Sequence, residues 1–142
     1  MKRRIALLSL VALVVGAAGG ARADAELAET LRRVTEKSLA AYDRENAEEA
    51  LAHVHTRSPE YERTRDALQQ QFDAFDVRPE LVSFSFIGHD DEFAIARVKL
   101  KTVDRSNNDF SSNVIDALTV FHQEDGVWKV WSDHILGVEL VP

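Results

Sequence analysis

Residues 114–140 read VIDALTVFHQEDGVWKVWSDHILGVEL, two strand-like runs meeting at Asp125-Gly126. Asp-Gly supplies the positive φ that a two-residue hairpin needs, so the stretch is read as two long antiparallel strands with a tight turn over Glu124 to Val127. Side chains alternate across a strand, and the turn fixes which of them share a face. One face holds Ala117, Thr119, Phe121, Trp128, Val130, Ser132 and His134. The other holds Asp116, Leu118, Val120, His122, Lys129, Trp131, Asp133 and Ile135, with a bulge near Gly137. The first face is the more apolar and the second mixes aromatic with ionisable groups. Either one can be turned toward the rest of the domain.

Two earlier runs have the same period. Val82, Phe84 and Phe86 oppose Ser83 and Ser85, and Ala94, Ala96, Val98 and Leu100 oppose Arg97, Lys99 and Lys101. Turns are expected at Gly88 to Asp91 and at Ser106 to Asp109. The chain before Arg78-Pro79 is helical in pattern. Leu27, Leu31, Val34, Ala41 and Tyr42 form one stripe over Glu26 to Tyr42, opposite Glu29, Arg32, Arg33 and Glu36. A polar break at Asp43 to Asn46 precedes a short helix from Ala47 to His53. Ser58-Pro59 is a cap and first-turn signal for a third helix carrying Tyr61, Leu68, Phe72 and Phe75 on one face. The expected fold is α+β, with three N-terminal helices packed on one face of a curved, four-stranded antiparallel sheet.

The N-terminus has a different character. Met1-Lys2-Arg3-Arg4 is basic, Ile5 to Val15 is apolar apart from Ser9, and Ala21-Arg22-Ala23 is a small-x-small site. That order is the signature of a secretory signal peptide, and eleven apolar residues are too few to span a bilayer. The expected organisation is a signal peptide over 1–23 and one domain over 24–142, periplasmic or secreted after cleavage following Ala23. No membrane span remains after processing. The competing reading is an uncleaved anchor continuing through Ala17, Ala18 and Gly20. The chain has no cysteine, which excludes disulfides, thiolate chemistry and lipoprotein acylation. The full chain has 17 basic and 24 acidic residues; without 1–23 the count is 13 against 24, a net −11. A domain that acidic does not suit nucleic acid.

The chain resembles the nuclear transport factor 2-like, or SnoaL-like, superfamily with its cystatin-like cone. The residues that carry the likeness are Ala41 to Glu48, which run from the first helix into the second, and Glu124-Asp125-Gly126-Val127-Trp128-Lys129-Val130, similar to the superfamily's final hairpin. The resemblance implies enzymes of the ketosteroid isomerase or dehydratase type as well as plain binding proteins. An isomerase of this superfamily uses an Asp base, a helix Tyr and a late-strand acid. Here the helix Tyr position falls near Ser38, with Tyr42 one turn on, and Thr56-Arg57-Ser58-Pro59 offers no base. Asp116, between Ile115 and Ala117, matches the late-strand acid; there, burial is expected to raise its pKa. That analogy puts the pocket on the Asp116/Trp131 face. Tyr42, Tyr61, Phe72, Asp116 and Trp131 are its candidate lining residues.

His53 and His55 point apart on a helix and would share a face only in an extended segment; no third ligand is fixed by spacing, though the fold could bring His134 to them, and no metal is expected. There is no glycine-rich phosphate loop, HExxH, or His pair at i, i+4, so no cofactor is expected either. Arg97, Lys99 and Lys101 read as a solvated stripe paired with nearby acids. The leading functional reading is an exported, non-catalytic module binding a small apolar ligand or a protein, a homodimer through a sheet face. The alternative is an isomerase- or dehydratase-like enzyme using Asp116 with Tyr42 or His134. Intact mass of the exported protein tests the processing: a chain starting at Asp24 is expected, and one retaining Met1 contradicts it.

Overall fold

The computed structural model describes residues 15–106 and 111–142. The elements run α1 (Val15–Asp43), α2 (Ala47–Ala52), α3 (Tyr61–Ala74), β1 (Val77–His89), β2 (Phe93–Asp104), β3 (Asn113–Glu124) and β4 (Val127–Leu140). The strands form one antiparallel sheet in the order β1-β2-β3-β4, curved and open, with the three helices packed on it. The turn expected at Ser106 to Asp109 falls largely on residues 107–110, outside the described residues. Among the described residues no helix is long and apolar enough to cross a membrane.

The stripe on α1 is what joins the layers. Leu27, Leu31 and Val34 meet Ala94, Ala96 and Val98 of β2 and Phe121 of β3, and Leu31 and Phe121 are fully buried. The small alanines on β2 let the helix lie close to the sheet. The opposite side of α1 carries Glu29–Arg33 and Arg32–Glu36 pairs at 3.1 Å, exposed and of small energetic weight. α1 begins at Val15 rather than Glu26, and its last residue is Asp43; Glu45 follows with φ +54. Asn46 then caps α2, its Oδ1 accepting the Glu49 N–H at 3.0 Å.

α3 starts at Tyr61, later than the Ser58-Pro59 signal. Ser58 has other duties: its hydroxyl accepts the Glu60 N–H at 3.0 Å and donates to the Trp131 carbonyl at 2.5 Å. Phe75 is extended and 39% exposed, so the apolar face of α3 ends at Phe72. Arg78-Pro79 lies inside β1, an edge strand, where a residue without an N–H is tolerated. The hairpin forms as expected, with Glu124 opposite Val127 and φ of +53 and +78 at Asp125 and Gly126.

Bulges correct the face assignments. In β1 the register shifts at Val82 and Ile87; Leu81, Phe84 and Phe86 face the helices, while Val82 is 55% exposed. In β4 one shift lies at Leu136, beside Gly137, as expected. The other lies at Trp131, because Phe121 pairs with Val130 but Val120 pairs with Ser132. Beyond Trp131 the alternation is inverted. Asp133 and Ile135 join Thr119 and Ala117 on the inner face, and Ser132 and His134 move to the outer one.

The segment after α2 is stitched to β4. Val54 bridges Val130, the His55 N–H donates to the Val130 carbonyl at 2.8 Å, and the Val130 N–H donates to the His53 carbonyl at 2.8 Å. His55 is fully buried. Its Nδ1 accepts the Arg57 N–H at 3.0 Å, which leaves Nε2–H to donate to the Gln123 carbonyl at 3.2 Å. Thr56 donates its N–H at 3.1 Å and its hydroxyl to Glu124, which also takes the Lys129 ammonium at 2.8 Å. Phe121→Ala should cost about 3–5 kcal/mol of stability in urea unfolding. Val82→Ser should cost within about 0.5 kcal/mol. Equal losses would contradict the inner and outer faces as drawn.

Candidate functional site

The helices do not close fully on the sheet. Between them lies a cavity of about 320 Å³, walled by α1, α2, α3 and the inner faces of all four strands. Its surface is mostly hydrocarbon, from Leu39, Leu68, Leu100, Ile115 and Val130. Ser38, Thr64, Gln71 and Thr102 add neutral polar groups, and two ionisable side chains reach it, Tyr42 and Asp133. That is the small end of the usual range for ligand pockets, about 300–1,000 Å³. A larger hollow of about 470 Å³ beside Phe72 and Asp73 is wide open. Its charged groups satisfy one another: Arg105 pairs with Asp43 and reaches Asp76 at 4.0 Å.

Tyr42 stands on α1 with its ring edge-on to Phe72, centroids 4.9 Å apart. Burial pushes its phenol up to about 12, so it stays un-ionised. Asp133 is open to the cavity yet crowded by protein, and Thr119 donates a hydroxyl to its Oδ1 at 2.6 Å. The crowding raises its pKa above the ordinary aspartate value; the Thr119 hydrogen bond opposes this, nearby Glu60 adds to it and His134 opposes it. The cavity therefore presents a neutral phenol and a carboxyl that ionises reluctantly.

Of the expected lining residues, Tyr42 is in this cavity. Tyr61 and Phe72 lie on α3, Phe72 behind Tyr42 in the helix–helix cluster of Ala41, Ala50 and Leu68. Asp116 and Trp131 are on the outer face, so the pocket lies on the opposite side of the sheet from the one the analogy chose. Asp116 is held by Arg97 in a two-pronged ion pair at 2.9 and 2.6 Å. That hydrogen bonding, reinforced by the Arg97 and Lys99 charges, lowers its pKa, the reverse of the expected rise. Trp131 packs with His55, His122 and Phe93, ring centroids 5.0–5.7 Å apart. His134 meets Ser132 Oγ at 3.1 Å on the outer face, away from Tyr42. His53 is the C-cap of α2. Among the described residues no group of three or more His, Asp or Glu is placed to hold a metal.

Asp133 shares the Asp116/Trp131 face under strict alternation from the hairpin, but the isomerase analogy pointed to Asp116 alone, and the cavity lies on the opposite face. The bulge at Trp131 brings it inside, and no glycine or proline marks that bulge.

The sequence pattern of the anti-sigma-I factor RsgI9 C-terminal domain matches residues 33–141, and the chain belongs to that family. Comparison with curated proteins finds no match. Solved structures similar to it include a cystatin-like-fold protein of unknown function from Nostoc punctiforme (TM-score 0.59, 18% identity, 80% of this chain and 90% of that one). Others are a ketosteroid isomerase-like protein from Erwinia carotovora (0.57, 11%, 78% and 96%) and a hexachlorocyclohexane dehydrochlorinase (0.54, 11%, 85% and 93%). At such identities they show the fold alone, the nuclear transport factor 2-like, cystatin-like cone.

The raised pKa of Asp133 has a consequence for stability. The folded state binds its proton more tightly than the unfolded chain, so stability falls as pH rises above the ordinary aspartate value and through the raised one. Asp133→Asn keeps an acceptor for Thr119 and removes the charge. It should melt higher than the wild type at pH 7 and level with it near pH 3. A lower melting temperature at pH 7 would contradict the assignment.

Proposed function

We propose that this member of the RsgI9 C-terminal domain family is an exported, non-catalytic binding module that takes a small, largely apolar ligand between its helices and sheet. The observation that carries the reading is the cavity itself, a pre-formed apolar hollow with a few convergent polar groups. Burial of a ligand against its aliphatic wall gives roughly 25 cal/mol per Å² of apolar surface removed from water. The family is named for a domain of an anti-sigma factor, a regulatory protein, which favours recognition over turnover. Export rests on the order of basic, apolar and small residues in 1–23. A homodimer through the outer sheet face belongs to the same reading. Among the described residues no helix covers that face, and it carries Phe93, Ile95, Leu118, Val120 and Trp131.

A specific observation favours a second reading, acid–base catalysis by Asp133 with Tyr42 in one cavity, in place of Asp116. Against it, no histidine and no second carboxyl lines the cavity, so a proton taken by Asp133 has no partner of matched pKa to return it. Native mass spectrometry of protein purified from its own compartment tests the leading reading. A dimer carrying a small retained mass is expected, and Thr64→Trp, which fills the cavity, should lose that mass. A ligand-free monomer would count against it. Robust turnover of an enolisable ketone that Asp133→Asn abolishes, with binding intact, would replace it by the enzyme.

A further inference from the structure

The cavity has a sign. No lysine, arginine or histidine lines it, and its one carboxyl, Asp133, has a single hydrogen-bonding partner among the described residues, the Thr119 hydroxyl on Oδ1. Among the described residues the other carboxyl oxygen has no protein donor. Glu60, just before α3, adds negative potential; its own ion pair with Arg63 at 2.7 Å points to solvent, since Arg63 is 75% exposed. Tyr42 is neutral and His134 is across the sheet. The full chain has a net charge of −7, which draws cations toward the domain and repels anions.

We infer that the ligand class is a small amphiphilic amine, whose ammonium group pairs with the Asp133 carboxylate and whose hydrocarbon body lies against Leu39, Leu68, Leu100, Ile115 and Val130. The inference rests on the cavity being the binding site. An anion has no cation to meet there. A neutral ligand gains the apolar wall and at most an uncharged hydrogen bond to the carboxyl. An ammonium supplies the N–H donors that the free oxygen lacks, as a charge-assisted hydrogen bond, stronger than one from a neutral donor. Because the site disfavours the charged carboxyl, the proton and the cation compete for it as pH falls toward the ordinary aspartate range. Amine affinity then rises with pH as the carboxyl ionises, while the amine itself stays protonated throughout.

Calorimetric titration of the purified protein with 2-phenylethylamine, 2-phenylethanol and phenylacetate tests this. At pH 7.5 the amine should bind about tenfold more tightly than the alcohol, and phenylacetate should not bind. Asp133→Asn should abolish the amine's advantage and leave the alcohol's affinity within about threefold of wild type. If that variant does not fold, the wild type alone decides, since lowering the pH toward 4 should erode the amine's advantage and leave the alcohol unchanged. Equal affinities, or an advantage that persists in Asp133→Asn, would overturn the amine and leave the cavity standing. Failure of both amine and alcohol to bind, with Thr64→Trp indistinguishable from wild type, would overturn the cavity reading and the amine together.

Discussion

The stitch between residues 53–58 and the start of β4 is the constraint on which the rest depends. α2 and α3 have little of their own to hold them over the sheet: α2 is six residues long, and α3 buries only Leu68 fully. The connection between them is bonded as though it were a further strand, through the backbone on both sides of Val130. Side chains finish the join. His55 is locked in one tautomer, and Glu124 gathers Thr56 and Lys129, whose hydrogen bonds hold its carboxyl down at about 2. The clamp is therefore fully charged at neutral pH and weakens only as pH falls below the ordinary glutamate range. It also satisfies part of an exposed sheet edge. The later part of β4 has no such cover, and Ile135, Leu136, Val138 and Leu140 are all more than half exposed there.

The same stitch makes the site. Ser58 donates to the carbonyl of Trp131, the residue at which β4 bulges. With the extra residue, Trp131 is free to join the outer aromatic cluster while Val130 and Asp133 both face inward. Without it, a strand running from Val130 would present Ser132 to the helices and Asp133 to solvent. Clamp, bulge and acid are thus one device: the loop that holds the roof over the cavity also fixes the irregularity that places a carboxyl in its wall.

That coupling explains what was legible in the sequence. Element types and order followed from local pattern, because α1 has a true helical stripe and Asp125-Gly126 a true turn. The alternation of β2 followed too, since its alanines repeat without interruption, but which hairpin face carries the core did not: the analogy turned the Asp116/Trp131 face to the pocket, and Phe121 lies on the other. Helix ends were less legible where a polar residue had a distant partner. Ser58 reads as a cap but bonds to Trp131, and no local pattern shows a carbonyl 73 positions away. The site was least legible, for a similar reason. A bulge without glycine or proline leaves no mark, and a single inserted residue exchanges the faces of everything after it.

The two aspartates show how little residue type alone decides. Asp116 sits among apolar neighbours in sequence, yet on the next strand Lys99 lies across from it and Arg97 reaches it diagonally, and the Arg97 pair turns it into an ordinary surface anion. Asp133 follows Ser132 and precedes His134, an unremarkable polar run, yet its one hydrogen-bonding partner among the described residues is a neutral hydroxyl, and the protein around it resists its charge. Local sequence ranks the two in the wrong order. Cross-strand register ranks them correctly, because it decides which carboxylate meets a cation and which meets a cavity. In a fold shared by enzymes and binding proteins, chemistry depends on such placements more than on the fold. Here the placement yields one reluctant acid, one neutral phenol and an apolar wall.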